Sequence, residues 1–509
     1  MTEKTKQQRK ISQRVFQWAL ALICLVVLAG LVFPTHFEAA GDWLYAMVVD
    51  NTSWLYMLIM AAFILFCLWL GFLSPFKNIK LGADDEEPEH SLVSWFAMLF
   101  SAGMGIGLVF YGVAEPLNHY LSPPDIEPLT HEAAEFAMTK SFLHWGLHPW
   151  AAYAVIALGL AYMQFRRHRP GLVSSIFIPM LGEEGVRGKL GQTIDILAVF
   201  ATAAGMATSL GLGTYQINAG LHYLFGIPES NLVQILLVTV MTVIYTGTAV
   251  SGVDKGIKWI SNLNMVLVVA LVLMALGFGP TIPILEVFVQ TAGQYVQNLI
   301  GNSFDLGAFS PSNWYGSWTI FYWAWWIAWA PFTGTFIARI SRGRTIREFV
   351  AGVLLVPALL SMLWFSIFGT LNFNTATSTL EEAAQSTSTA LFVVLNDLGL
   401  VGTIMSIVAI VLLFTFFITS ANSATYVLGM LTDGGNLKPP HWKKLVWGIV
   451  QAALALSLMI GSKNGLQMIQ TISIVAAFPF IFVMGTAMWS LVKGLQEERL
   501  QTEDKQQEG

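Results

Sequence analysis

Phe321-Tyr322-Trp323-Ala324-Trp325-Trp326-Ile327-Ala328-Trp329-Ala330-Pro331-Phe332 places four tryptophans within seven residues. The apolar run around it extends from about Trp314 to Ile337. At 1.5 Å per residue, Trp325 falls near the middle of a roughly 30 Å hydrocarbon core. An aromatic belt sits where a span meets the headgroups, and this cluster is too deep for one. Trp325 and Trp329 are spaced i, i+4 and Trp326 and Trp329 i, i+3, so one helical face presents two or three rings together. Clustered π-faces at that depth suit a cation that has no hydrogen-bond donors.

The rest of the chain fits a membrane setting. Of 509 residues, 55% are hydrophobic and only 11% charged, and the mean hydropathy is +0.62. That composition excludes a soluble globular chain. Apolar runs of about 20 residues lie near 15–33, 55–73, 92–113, 142–163, 194–212, 232–250, 259–278, 314–337, 350–371, 400–417, 445–460 and 472–491. The expectation is an all-α polytopic membrane protein with about twelve transmembrane helices. The first run is long and lacks a small-residue cleavage site, so it reads as a span and not as a signal peptide.

Orientation follows from the basic residues. With both termini cytoplasmic, all 26 Lys and Arg residues except Lys140 and Lys463 fall inside, as the positive-inside rule requires. Cys24 and Cys67 sit in apolar runs and read as small core hydrophobes. The net charge of −5 carries little information about partners, because its two signs are segregated by leaflet. No nucleic-acid-binding pattern is present. The expected partners are membrane lipid and whatever the tryptophans bind.

One membrane domain, 15–494, is expected between two short polar tails, 1–14 and 495–509. Residues 491–500 could continue the last helix as a regulatory arm. Between the seventh and eighth runs, residues 282–303 alternate apolar side chains with Gln and Asn at an amphipathic period. This reads as a helix lying on the outer surface.

Ser101-Ala102-Gly103-Met104-Gly105-Ile106-Gly107 interrupts the third run. Glycine costs roughly 1 kcal/mol relative to alanine in a helix interior, so three at alternate positions predict a break. Freed backbone at membrane depth is tolerated where it lines a cavity or an ion site. Gly103 and Gly107 also fit a Gly-x-x-x-Gly packing face. In the tenth run, Thr415, Thr419, Ser420 and Ser423 supply hydroxyls, which suit a weakly bound alkali ion or bond back to their own helix. His144-Trp145 and His148-Pro149-Trp150-Ala151-Ala152-Tyr153 add aromatic faces to the fourth run. Their histidines are expected at a helix end, satisfied by backbone or water.

Taken in order, Gly103 to Gly107, Phe110-Tyr111-Gly112-Val113-Ala114-Glu115-Pro116, His144 to Ala151, Phe321 to Phe332 and Ala338-Arg339-Ile340-Ser341-Arg342-Gly343-Arg344 resemble the betaine/carnitine/choline transporter family. The match runs over about residues 90–430 and looks most similar to sodium-coupled glycine betaine transporters of Gram-positive bacteria. The resemblance implies a LeuT-type fold, in which two spans precede inverted five-helix repeats at about 92–280 and 313–491, and a homotrimer.

The resemblance also implies a substrate box for a quaternary ammonium compound, formed by Trp145, Trp150, Tyr153, Trp325, Trp326 and Trp329. Gly103 and Gly105 would lie near the substrate carboxylate. A co-transported sodium ion is implied at the backbone of Ser101, Met104 and Phe416 and the hydroxyls of Thr419 and Ser420. A second sodium would use Thr202 and Phe332, but Met206 stands where the family has another threonine. Asn422 likewise replaces the usual Asp. Gly107 occupies the place of the Asp found in proton-coupled choline carriers, and Asn264 that of the Arg found in sodium-independent exchangers. Both favour sodium symport over those alternatives. A channel would require a symmetric pore ring, and an enzyme a convergent nucleophile, base or metal set. Neither pattern is present, so a transporter is expected, and the resemblance implies a role in osmoprotection.

Overall fold

The computed structural model describes residues 3–103, 105–251, 254–310 and 312–508. Among them it is all-helical. The helices are α1 (Glu3–Val32), α2 (Pro34–Leu68), α3 (Leu92–Gly103), α4 (Ile106–Leu121), α5 (His131–Trp145), α6 (Leu147–Ala161), α7 (Ile178–Arg187), α8 (Lys189–Phe225) and α9 (Asn231–Ser251). They continue with α10 (Asp254–Phe278), α11 (Thr281–Ser303), α12 (Phe321–Ile340), α13 (Ile346–Phe373), α14 (Thr377–Ala384), α15 (Ala390–Asn396), α16 (Gly399–Leu431), α17 (His441–Ile460) and α18 (Gly465–Glu508).

Ten helical segments among the described residues are long and apolar enough to cross a membrane, and the bent pair α3–α4 makes an eleventh. This is a multi-pass membrane protein. The eighth expected span, α12, falls outside that set for a chemical reason. Its 20 residues are long enough at about 1.5 Å each, but Trp and Tyr are amphipathic residues that lower its mean hydropathy. Burial accounts for this composition, since Phe321 to Ala328 are all buried. The helix is wrapped by α6, α8 and α18 and presents little surface to lipid.

Several elements outrun their hydropathy. Helix α2 begins at Pro34, some twenty residues before its apolar run, because Pro is favourable in the first helical turn. Helix α18 continues unbroken past the last apolar run to Glu508. Its extension is anchored where the Tyr162 hydroxyl donates to the Gly494 carbonyl at 2.8 Å and Arg166 pairs with Glu498. Helix α11 lies where the amphipathic period predicts it. It buries Ile284, Thr291 and Tyr295 and leaves Ile282, Val289, Val296 and Ile300 exposed.

A backbone clasp ties the segment before α3 to the α12–α13 turn. Leu81 N–H donates to Arg344 O at 2.8 Å, Gly343 N–H to Leu81 O at 2.9 Å and Ile346 N–H to Ile79 O at 3.0 Å. Gly343 adopts φ +80°, and a Cβ there would meet Glu87 O at 2.6 Å, so the turn requires glycine. Thr345 and Glu348 form a capping box that starts α13. Both cysteines are free thiols, Cys67 buried and Cys24 half-buried.

Candidate functional site

The glycine break is real and sits beside the tryptophan helix. The axes of residues 92–101 and 106–121 diverge by 65°, and extended backbone at Gly105 precedes the first turn of α4. Beta carbons at the two glycines of this turn would meet different surroundings. At Gly107 a Cβ would lie 2.7 Å from the Trp325 ring and 2.8 Å from the Trp145 ring, whereas at Gly105 it would meet nothing within 4 Å. Gly107 therefore lets two indoles close on the helix, and Gly105 borders open space.

That space is a cavity of about 1100 Å³, slightly above the usual range of small-molecule sites. All six aromatic residues expected for the box line it: Trp145, Trp150, Tyr153, Trp325, Trp326 and Trp329. Trp325 and Trp326 are stacked at 4.8 Å and 14°. Trp145 meets Trp326 edge-on at 4.8 Å, and Tyr153 stands edge-on to Trp326 at 6.4 Å. Trp150 packs edge-on to Tyr153 at 5.5 Å. These are the favoured geometries for aromatic pairs.

Hydrogen bonds hold the rings in place. The span containing His144 breaks at Gly146, between α5 and α6, and Trp326 Nε1 donates to the His144 carbonyl at 2.9 Å beside that break. Trp329 Nε1 donates to the Gly205 carbonyl of α8 at 2.8 Å, and a Cβ at Gly205 would reach the Trp329 ring at 2.5 Å. Trp329 is thus both a cavity face and a helix contact.

The residues expected around sodium divide into two groups. Ser101, Phe416, Thr419 and Ser420 line the same cavity as the rings, while Met104 lies outside the described residues. Thr419 Oγ1 donates toward the Thr415 and Phe416 carbonyls at 3.0 and 3.2 Å and accepts from Asn264 Nδ2 at 3.3 Å. For the second set, Phe332 lines the cavity. Thr202 is fully buried in α8 and its hydroxyl donates to Ala198 O at 2.8 Å. Gly103 ends α3 beside the break. Asn422 donates to Thr248 Oγ1 at 2.9 Å and toward Tyr245 O at 3.4 Å, which joins α16 to α9.

Sequence reading missed the polar cluster behind the box. His144 and His148 do lie at helix ends, on either side of the Gly146 break, but with His119 and Glu115 they are completely buried and meet side chains in place of backbone or water. His148 Nε2 pairs with Ser303 Oγ at 3.0 Å. Glu115 Oε2 accepts from Trp145 Nε1 at 2.7 Å and from the Tyr322 hydroxyl at 2.5 Å, and its Oε1 faces His144 Nδ1 at 2.7 Å and His119 Nε2 at 3.4 Å. The available signal was a Glu inside an apolar run, since an ionisable residue at membrane depth marks function by default.

The opposite end of the cavity differs in kind. It is lined by Lys258, Arg339, Arg342, Lys438 and Lys444, basic residues that the positive-inside count assigns to the cytoplasm.

Comparison with known proteins agrees with this geometry. The profile of the BCCT, betaine/carnitine/choline family transporter, matches residues 14–500. The chain is 49% identical over 489 residues to the glycine betaine transporter OpuD of Bacillus subtilis, covering 95% of this chain and 94% of that one. It is 44% identical over 483 residues to a probable glycine betaine transporter of Desulfitobacterium hafniense, covering 94% and 96%. An ectoine/hydroxyectoine transporter of Virgibacillus pantothenticus is 40% identical over 503 residues, covering 97% and 99%. An apolar chain with a broken helix, an aromatic-lined cavity and these relatives is a transporter and not an enzyme, and it belongs to the betaine/carnitine/choline transporter family.

Proposed function

We propose that this protein is a sodium-coupled symporter that brings glycine betaine, or a related quaternary ammonium solute, into the cell by alternating access. The observation that carries the reading is the meeting of six aromatic residues with the broken backbone at Gly105 around one cavity. A trimethylammonium group gains about 0.5–1 kcal/mol over an exposed ring and about 2 over a desolvated one. The amides at the start of α4 would receive the carboxylate, as helix N-termini receive anions.

The sodium ion is cargo, held by Ser101, Met104, Phe416, Thr419 and Ser420. Thr202 and Phe332 are weaker candidates for a second ion because Met206 supplies no hydroxyl. One sodium moving down ~100 mV and a tenfold gradient releases about 2.3 plus 1.4 kcal/mol, which supports roughly several-hundred-fold accumulation. The basic mouth supports an inward-open state with both termini in the cytoplasm. Counting α12 as a span gives twelve, arranged as two inverted repeats in a homotrimer. The physiological role is osmoprotection.

The test is uptake of labelled glycine betaine into proteoliposomes under a sodium gradient, a proton gradient or neither. Sodium-driven accumulation above the external concentration is expected. Proton-driven uptake, or exchange that needs only internal substrate, would remove the sodium assignment and favour a proton-coupled choline carrier or an exchanger of the same fold.

A further inference from the structure

Behind the box lies a buried carboxyl group that the transport reading leaves unused. Glu115 has no exposed surface, and its near neighbours are the donors Trp145 and Tyr322 and the imidazoles of His144 and His119. An indole N–H can only donate, so Oε2 acts as an acceptor. His144 is bonded at both nitrogens, Nδ1 to Glu115 and Nε2 to Thr319 Oγ1 at 2.9 Å, which suits a neutral ring that donates to the carboxylate and accepts from the hydroxyl. His119 directs Nε2 at Glu115 and leaves Nδ1 without a partner, among the rings of Trp314 and Trp318 at 4.7 and 4.6 Å. A second N–H there would be an unsatisfied buried donor, so this ring is neutral as well. The nearby cation Lys140 is paired with Asp305 at 2.9 Å.

An ionised carboxyl at this depth is costly unless something compensates it. The path to compensation runs through Trp145. Its N–H edge is bonded to the carboxylate, and the far corner of its benzo ring reaches Gly107 at the cavity wall. The bonded carboxylate polarises the indole so that its cavity side becomes more negative. That is the property a cation over an aromatic face senses.

We propose that Glu115 is ionised, is the counter-charge of the substrate ammonium and acts through Trp145, so that it selects cationic head groups over neutral ones of equal shape. It is a positioning and specificity residue, not a contact residue. The inference rests on the transport reading above and deepens it. Tyr322, bonded to the same Oε2 and stacked on Trp326 at 5.8 Å, extends the effect to a second wall.

The experiment compares binding of glycine betaine and 3,3-dimethylbutanoate, its neutral-headed isostere, to purified full-length protein. Wild type should prefer betaine. Glu115→Gln keeps a hydrogen-bond acceptor but removes the charge and should cut that preference by about tenfold or more. Tyr322→Phe keeps the charge but severs the second link and should cut the preference by a smaller factor. If Glu115→Gln does not yield folded protein, Trp145→Phe retains a ring while severing the link and should cut the preference severalfold. An unchanged preference in either Glu115→Gln or Trp145→Phe would overturn the assignment. Wild type that binds neither ligand would overturn the transport reading itself, and this inference with it.

Discussion

The two ends of the tryptophan helix behave as different materials. Toward its start, Tyr322, Trp325 and Trp326 stack on one another and on His144, pack around Glu115 and form the closed, aromatic end of the cavity. Beyond Trp329 the same helix lines an open cavity that ends among Arg339, Arg342 and Lys444. The first half is wholly apolar or aromatic and the second carries Thr333, Thr335 and Arg339, and what faces them differs as well. The breaks at Gly105 and Gly146 bring α4 and α6 close to the first half, while α16 lines the cavity along the second with hydroxyls. A carrier that alternates access needs one end packed and one end open at a time, and dense packing gives such ends two discrete arrangements.

The largest predicted effect breaks the packed end. Gly107→Ala puts a methyl within 2.7–2.8 Å of Trp325 and Trp145 and should weaken betaine binding at least about tenfold, roughly 1.4 kcal/mol. Gly105→Ala, beside open space, should change binding far less. Equal effects in a titration of the two purified variants would show that the rings do not depend on that close approach.

Trp329 sharpens the contrast because it serves both ends. Trp329→Ala should lose about 1–2 kcal/mol of betaine affinity from the missing face. It should also melt earlier, since it abandons the Gly205 carbonyl and its packing on α8. Trp329→Phe should keep most of the affinity and lose part of the stability. Calorimetric binding together with thermal melts separates the two, and parallel losses in both variants would contradict the division.

At the open end, Thr419→Ala removes one oxygen proposed to hold sodium and should raise the sodium concentration for half-maximal uptake by about fivefold, the equivalent of one hydrogen-bond-sized contribution near 1 kcal/mol. An unmoved sodium curve would take Thr419 out of the ion site.

The smallest effect lies beyond the packed end, at Asp305. Burial pushes its carboxyl up, but Lys140, the Tyr315 hydroxyl and the Gly307 amide outweigh this and hold its pKa below the usual carboxylate value. A lowered native pKa gives stability that is present above the unfolded value of about 3.9 and is lost as pH falls through the native one. Melting temperature should therefore decline below about pH 4, and Asp305→Asn should flatten part of that decline. An identical pH slope in the variant would show that the pair contributes nothing.

Much of the fold was legible because membrane helices satisfy their own backbone and so announce themselves as long apolar runs. The break at Gly103 to Gly107 and the surface helix α11 were legible through glycine spacing and amphipathic period. The aromatic residues of the cavity were legible as types, and the family resemblance assigned them to one site. The partners of Glu115 were not, because it meets His144 and Tyr322 across 29 and 207 residues of chain, and no local pattern encodes such a meeting. A continuation of the last helix over 491–500 was legible, but not that it runs on to Glu508, since no apolar period marks that stretch and Tyr162 and Arg166, which dock the extension, lie on another span.

The most direct test of the central claim, that the packed aromatic end recognises the ammonium group, is calorimetric titration of glycine betaine into wild type, Trp326→Ala and Trp18→Ala. Trp18 is 67% exposed on α1, away from the cavity. The account predicts saturable binding to wild type and Trp18→Ala and a loss of about tenfold or more in a folded Trp326→Ala protein. Equal affinity in all three would contradict it.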